Sequence, residues 1–222
     1  YIPLTNQYNP LRFLMRPGQH DRIYSDADLD GIAYHLAKAD LVCFSSMTAY
    51  SDLTKAIIQL IKKINPKTYT LWGGIHPIVH PEDAIEYPDA ICVGEGETAF
   101  KSFLSAFKEG RDHTSTKNFW LNLNGKIIRN NFLPLHSVEE MEQFPHMLYA
   151  ENELIYKQGK GFVSTKTNDY LSSFGLGNTY DTIWSIGCPY KCNYCSNNIF
   201  IENDKNYRKI RHPSVDYILS EV

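Results

Sequence analysis

Between residues 40 and 108 a short apolar run is followed three times by a helical pattern, and this rhythm restricts the fold more than any other feature of the 222-residue chain. DLVCFSS (40–46) reads as a buried strand and precedes a stretch, 51–64, in which Leu53, Ile57, Leu60, Ile61 and Ile64 recur at helical spacing. TYTLWGG (68–74) is the second run, and a short helix near 81–86 follows it, opening on Pro81 and acidic residues. AICVGEGE (90–97) is the third, and Phe100, Phe103, Leu104 and Phe107 give a helix over 97–108 an apolar face. Ahead of the first run, Ser25 is placed to cap a helix reaching about Lys38, with Asp26 and Asp28 in its first turn. Strands alternating with helices at this spacing predict an α/β fold: a parallel sheet with right-handed crossovers.

The ends of the three strands are small or glycine-rich: Ser45-Ser46-Met47-Thr48, Gly73-Gly74-Ile75-His76-Pro77 and Gly94-Glu95-Gly96-Glu97. In an open parallel sheet, ligands bind beyond the carboxyl ends of the strands, where glycine lets backbone come close and helix N-termini attract anions. Three such ends on one edge predict a bound cofactor. Cys43 and Cys92 fall inside the strand runs and are read as small core residues. His76 and His80, beside Pro77 and Pro81, are read as loop histidines rather than metal ligands.

After Gly110 the rhythm stops. FWLNLNGKIIRN predicts a hairpin turning at Asn124–Gly125. Residues 133–180, with Pro134, Pro145 and glycines at 159, 161, 175 and 177, read as a connecting segment. DTIWSIG (181–187) is then a further strand that delivers CPYKCNYC, residues 188–195, into a loop, and a helix begins at 213.

Cys188, Cys192 and Cys195 place three thiols in eight positions, on a loop that Gly187 and Pro189 help to turn. Soft thiolates suit an iron–sulfur cluster, and a four-iron cluster held by three cysteines leaves one iron open. A structural zinc site wants a fourth ligand, and only His212, seventeen residues on, is near in sequence. A Cys192–Cys195 redox pair is the third reading. Five cysteines, three of them clustered, do not form a secreted disulfide framework and indicate a reducing, cytoplasmic setting. A net charge of −3 without a basic run indicates no nucleic-acid surface. No apolar stretch reaches the ~20 residues that span a bilayer. The opening YIPLTNQYNP lacks the plan of a signal peptide. A start at Tyr1 and an end within the helical pattern PSVDYILSEV suggest a piece of a longer protein.

Cys188-Pro-Tyr-Lys-Cys192-Asn-Tyr-Cys195 resembles the signature loop of the radical S-adenosylmethionine (SAM) enzymes, with Tyr194 as the aromatic before the last cysteine. The resemblance implies that Cys188, Cys192 and Cys195 ligate a 4Fe-4S cluster whose fourth iron is chelated by SAM. It implies reductive cleavage of SAM to a 5′-deoxyadenosyl radical, with Tyr194 beside the adenine. DLVCFSSMTA, LWGGIHP and ICVGEGE similarly resemble the cobalamin-binding domain found upstream of the radical domain in a large subfamily. That resemblance implies cobalamin contacts from Ser45, Ser46, Met47, Thr48, Gly73, Gly74, Gly94, Glu95 and Gly96. The lower-ligand motif D-x-H-x-x-G is absent, since GQHDR (18–22) does not fit it. Two strand cysteines do not make the second cysteine triad of the methylthiotransferases.

The expected layout is a Rossmann-like, cobalamin-binding-type domain over 1–110, a linker with a β-hairpin over 111–180, and the first βα unit of a radical SAM partial TIM barrel over 181–222. The implied activity of the whole protein is methyl transfer to carbon, or radical rearrangement or cyclisation, on a small-molecule or peptide substrate, with flavodoxin or ferredoxin as electron donor. This piece alone is expected to be inactive. The competing reading is a non-catalytic module whose cluster only carries electrons. Tyr207-Arg208-Lys209-Ile210-Arg211-His212-Pro213 reads either as a solvated basic stretch or as support for the cofactor site.

Overall fold

The computed structural model describes residues 24–146, 153–164, 183 and 185–221. Helix α1 (Asp26–Leu36) begins at a reciprocal cap: the Ser25 hydroxyl accepts from the Asp28 N–H, and the Asp28 carboxylate accepts from the Ser25 N–H. Strand β1 (Leu41–Ser45) passes through a 3-10 turn, Thr48–Tyr50, into α2 (Ser51–Ile64), the helix that the apolar spacing predicts. After β2 (Tyr69–Gly73) come two short helices, α3 (Ile75–Val79) and α4 (Pro81–Ala84), where the sequence suggests one near 81–86. Pro81 has no N–H to continue the ladder of α3, so the chain restarts there with Pro81 as the first helical residue. Strand β3 (Ala90–Cys92) is shorter than its apolar run, and α5 (Glu97–Lys108) follows it.

Strands β1, β2 and β3 are parallel neighbours, in register Cys43–Leu71–Ala90 and Phe44–Trp72–Ile91. The hairpin predicted at Asn124–Gly125 forms, and both turn residues have positive φ, 55° and 90°, as a two-residue hairpin turn requires. It does not stand apart in a linker. Its strands β4 (Phe119–Leu123) and β5 (Lys126–Arg129) continue the sheet, with β4 antiparallel to β3. The observed architecture is therefore α/β with a mixed five-stranded sheet.

Because side chains alternate along a strand, each face of the sheet builds its own core. Leu71, Ala90, Cys92, Phe119 and Leu121 pack against Ala99 and Phe103 of α5. Trp72, Ile91 and Val93 pack on the other face with Ile58 of α2 and with Ala84 and Ile85. Helix α1 covers α2 and β1 through Leu29, Ile32, Ala33, Val42, Ile57 and Ile61. Cys92 is buried as expected, and burial pushes its thiol up to about 11. Cys43 corrects the expectation, for it is exposed: it lies on β1, one of the two edge strands of the five-stranded sheet, which only β2 flanks.

The segment read as a connection holds more structure than its composition suggests. Ser137 and Glu140 cap a short helix, α6 (Val138–Met141), reciprocally. Strands β6 (Leu154–Lys157) and β7 (Gly161–Ser164) make a second, two-stranded sheet that the sequence reading missed. Asp28 anchors it, accepting from the Tyr156 hydroxyl at 2.8 Å and from the Gly159 N–H at 3.2 Å. Residues 181, 182 and 184 of the strand expected at 181–187 lie outside the described residues, as do GQHDR (18–22) and the glycines at 175 and 177. Within them, Ile186 forms an isolated antiparallel bridge with Arg211. Helix α7 (Asn197–Asn203), a 3-10 turn over Lys205–Arg208 and α8 (Val215–Glu221) complete the segment.

Candidate functional site

The carboxyl ends of β1 and β2 are tied together through Ser46. Its N–H donates to the Gly73 carbonyl and its carbonyl accepts from the His76 N–H, both at 3.2 Å. Its hydroxyl accepts from Thr54 Oγ1 at 3.0 Å and from Trp72 Nε1 at 2.9 Å. Gly74 sits at φ 89°, and a Cβ there would come within 2.7 Å of the Ser46 nitrogen. Glycine at 74 thus serves the approach of two strand ends to each other. Beside this knot opens a cavity of about 550 Å³, into which Ser45, Ser46, Met47, Tyr50, Ile75 and Phe162 face. Of the predicted strand-end residues, Ser45, Ser46, Met47 and Gly74 line it, while Thr48 and Gly73 do not.

His76 is not a loop histidine. It belongs to α3, is 3% exposed and stacks on Trp72 with ring centres 4.8 Å apart. Its Nε2 lies 2.9 Å from Asp83 and its Nδ1 3.4 Å from Thr48 Oγ1, so both ring nitrogens have partners. Burial is the main reason that its basicity is lowered. Asp83 also pairs with Lys55 at 2.7 Å.

The third strand end turns elsewhere. A Cβ on Gly94 would meet the Asn118 side chain at 2.9 Å, and Gly94 and Glu95 line a small crevice against Phe200, Asn203 and Tyr207. The Glu95 carboxylate accepts from both terminal nitrogens of Arg211 and from the His136 N–H at 2.9 Å. Burial works against its charge, yet these hydrogen bonds outweigh it and hold the carboxyl below its ordinary range. Arg211 is therefore no solvated member of a basic stretch: its side chain is 12% exposed, and it also donates to the His136 carbonyl at 2.7 Å. Sequence reasoning singled out Glu95 but did not find this partner, 116 residues away.

From Arg211 the backbone leads directly to the thiols. Arg211 and Ile186 exchange N–H···O bonds of 2.8 and 2.9 Å, and the Cys188 N–H donates to the Tyr207 carbonyl at 2.9 Å. Gly187, at φ 118°, lies so close beneath this pairing that a Cβ would stand 2.2 Å from the Lys209 oxygen. Past Cys188 the loop is tightened by Cys195 N–H to the Cys192 carbonyl at 3.1 Å, and by the Asn198 amide to the same carbonyl at 2.7 Å. The three cysteines are free and partly exposed. Among the described residues, no three Cys, His, Asp or Glu side chains converge on a point that would hold a single metal ion. Tyr194 is 93% exposed, which excludes an aromatic packed beneath the loop.

A strand-end cavity and a thiol loop thus share the carboxyl edge of one α/β sheet, the layout of a cofactor-binding domain. Residues 20–104 match the family described as B12 binding domain. The chain is 26% identical over 207 residues to an uncharacterized methyltransferase of Pyrococcus horikoshii, covering 91% of this chain and 40% of that protein. It is 21% identical over 170 residues to an anaerobic magnesium-protoporphyrin IX monomethyl ester cyclase of Synechocystis, covering 75% and 31%. The chain therefore spans well under half of the curated relatives' length. In fold it is similar to the radical SAM methyltransferase TsrM of Kitasatospora setae, with TM-score 0.63, 18% identity, and 88% of this chain and 36% of that one covered. The cobalamin-dependent SAM radical enzyme OxsB gives TM-score 0.58 at 18% identity, covering 87% and 24%. Residues 20–104 thus match a B12-binding-type domain, and over most of its length the chain is similar in fold to these two enzymes.

Proposed function

We propose that the whole protein is a cobalamin-dependent radical SAM enzyme, in which Cys188, Cys192 and Cys195 hold a 4Fe-4S cluster and the cavity at the ends of β1 and β2 receives part of a corrinoid. One observation carries this reading: the thiol loop is seated against the carboxyl end of β3, on the sheet edge where β1 and β2 open their cavity. The donor set fits, for three soft thiols on one loop can each take a separate iron and need not converge on a single ion. The cavity fits as well, being partly open and lined by apolar side chains and small strand-end residues. When bound, the cluster and SAM would supply the radical chemistry, and the corrinoid a methyl group or a second redox partner.

The chain's own residues orient and support. Gly187 and the Ile186–Arg211 bridge set the start of the thiol loop. Tyr194 presents a free ring on which a purine can stack. The Ser46 knot fixes the cavity rim, and His76, with both nitrogens engaged, supports that rim from below rather than serving as a metal ligand. Methylation of carbon, rearrangement and cyclisation all suit this machinery. Cytoplasmic residence and a flavodoxin or ferredoxin donor accord with the reading. Among the described residues no helix is long and apolar enough to cross a membrane.

The test is anaerobic reconstitution of the full-length protein with iron, sulfide and a corrinoid, followed by SAM and reductant. We expect 5′-deoxyadenosine and methionine from the wild type, corrinoid absorbance that survives gel filtration, and loss of the cluster absorbance on Cys188→Ala, Cys192→Ala or Cys195→Ala. A cluster that forms normally but yields no 5′-deoxyadenosine would return the protein to the electron-carrying class.

A further inference from the structure

We infer that Glu95 is a positioning residue for the thiol loop: its carboxylate, through Arg211, latches the Cys188–Cys195 segment to the carboxyl end of β3. The inference rests on the reading of that segment as a cluster loop. Its basis is a short, unbroken path of bonds. Glu95 stands at the end of β3 and accepts from both terminal nitrogens of Arg211. The Arg211 backbone pairs in both directions with Ile186, two residues before Cys188, and the Cys188 N–H is held by Tyr207. Three further contacts close the latch from the side. The His136 N–H donates to Glu95, the His136 carbonyl accepts from Arg211, and the Asn118 amide donates to the Glu95 carbonyl at 2.8 Å.

Burial makes the pair decisive. The Glu95 and Arg211 side chains are 15% and 12% exposed, so neither charge can turn to water if the other is removed. A planar guanidinium gripping a carboxylate with two nitrogens also fixes direction, which a lysine could not do. The groups facing Glu95 from the elements packed around it are Arg211, His136 and Tyr207, with Thr98 beyond His136. Glu97 reaches only 3.8 Å from His136 and is half exposed, so it does not replace Glu95. The second glutamate of GEGE is therefore dispensable for the latch, and the first is not.

Two readouts in the full-length protein separate the latch from what it holds. In the cluster-free form, Glu95→Gln should raise hydrogen exchange at the amides of Cys188 and Arg211 by about tenfold or more, while β1 and β2 amides keep their protection. In the anaerobically reconstituted form, the same variant should lose iron to a chelator about tenfold faster and change the electron paramagnetic resonance spectrum seen on adding SAM. Glu97→Gln should change neither. Should Glu95→Gln fail to fold, Arg211→Lys reads the same amides and the same iron release. Unchanged exchange at Cys188 and Arg211 in both variants would overturn the latch. A wild type that takes up no iron would instead overturn the cluster reading, and the purpose of the latch with it.

Discussion

Single residues on the carboxyl edge do two kinds of work, and the glycines separate them. Gly74 and Gly187 both have φ between 89° and 118° and both lie against backbone, so an alanine at either is strained twice, by its torsion and by collision. Gly74→Ala should lower sheet stability by about 1–3 kcal/mol, read as a shift of the denaturant midpoint at unchanged slope. Gly187→Ala should leave that midpoint in place and abolish the Ile186–Arg211 bridge, read as exchange at those two amides. Gly96→Ala, with its nearest contact at 3.8 Å and ordinary torsions, is the matched control. The strand-end glycines were legible in the sequence, but their reason was not. Small residues at a strand end look alike whether they make room for a ligand or for another piece of chain, and at Gly74 and Gly94 the occupant is Ser46 or Asn118.

Among the elements, those whose burial follows a local period were readable in advance. Helices α2 and α5 begin and end where the apolar spacing says, and the Asn124–Gly125 turn fixed its hairpin. That β4 joins β3 was not readable, because strand pairing depends on which edge is free rather than on local spacing. The β6–β7 hairpin escaped for a related reason: its residues are glycine-rich and half buried, and its anchor is a carboxylate 128 residues away. Hydrogen bonds from Ser25, then Tyr156 and Gly159, lower Asp28 from the ordinary 3.8 to about 2. A carboxyl depressed in the folded state stabilises fully above its unfolded value, and that contribution is lost as pH falls through the folded one. Exchange at β6–β7 amides should therefore rise between about pH 4 and pH 2. Asp28→Asn should already exchange faster at neutral pH and show no such rise.

At the scale of the whole molecule, two polar clasps of long reach close the structure: Asp28 to Tyr156, and Glu95 to Arg211. Everything that forms the five-stranded sheet lies between Leu41 and Arg129, whereas the thiol loop begins near residue 186. Contacts between distant parts of a chain form late, because the intervening loop must first be closed, and synthesis delivers the sheet first. In refolding followed by pulsed hydrogen exchange, β2 and β3 amides should be protected before those of Cys188 and Arg211. Equal rates for the two sets would show that the loop takes part in nucleating the fold. A thiol loop that arrives last meets a finished landing surface, with Glu95 already placed at the end of its strand. The order of events at the ribosome would then be sheet first and capture of the loop second, so that the three cysteines reach their final register only once the sheet edge is complete.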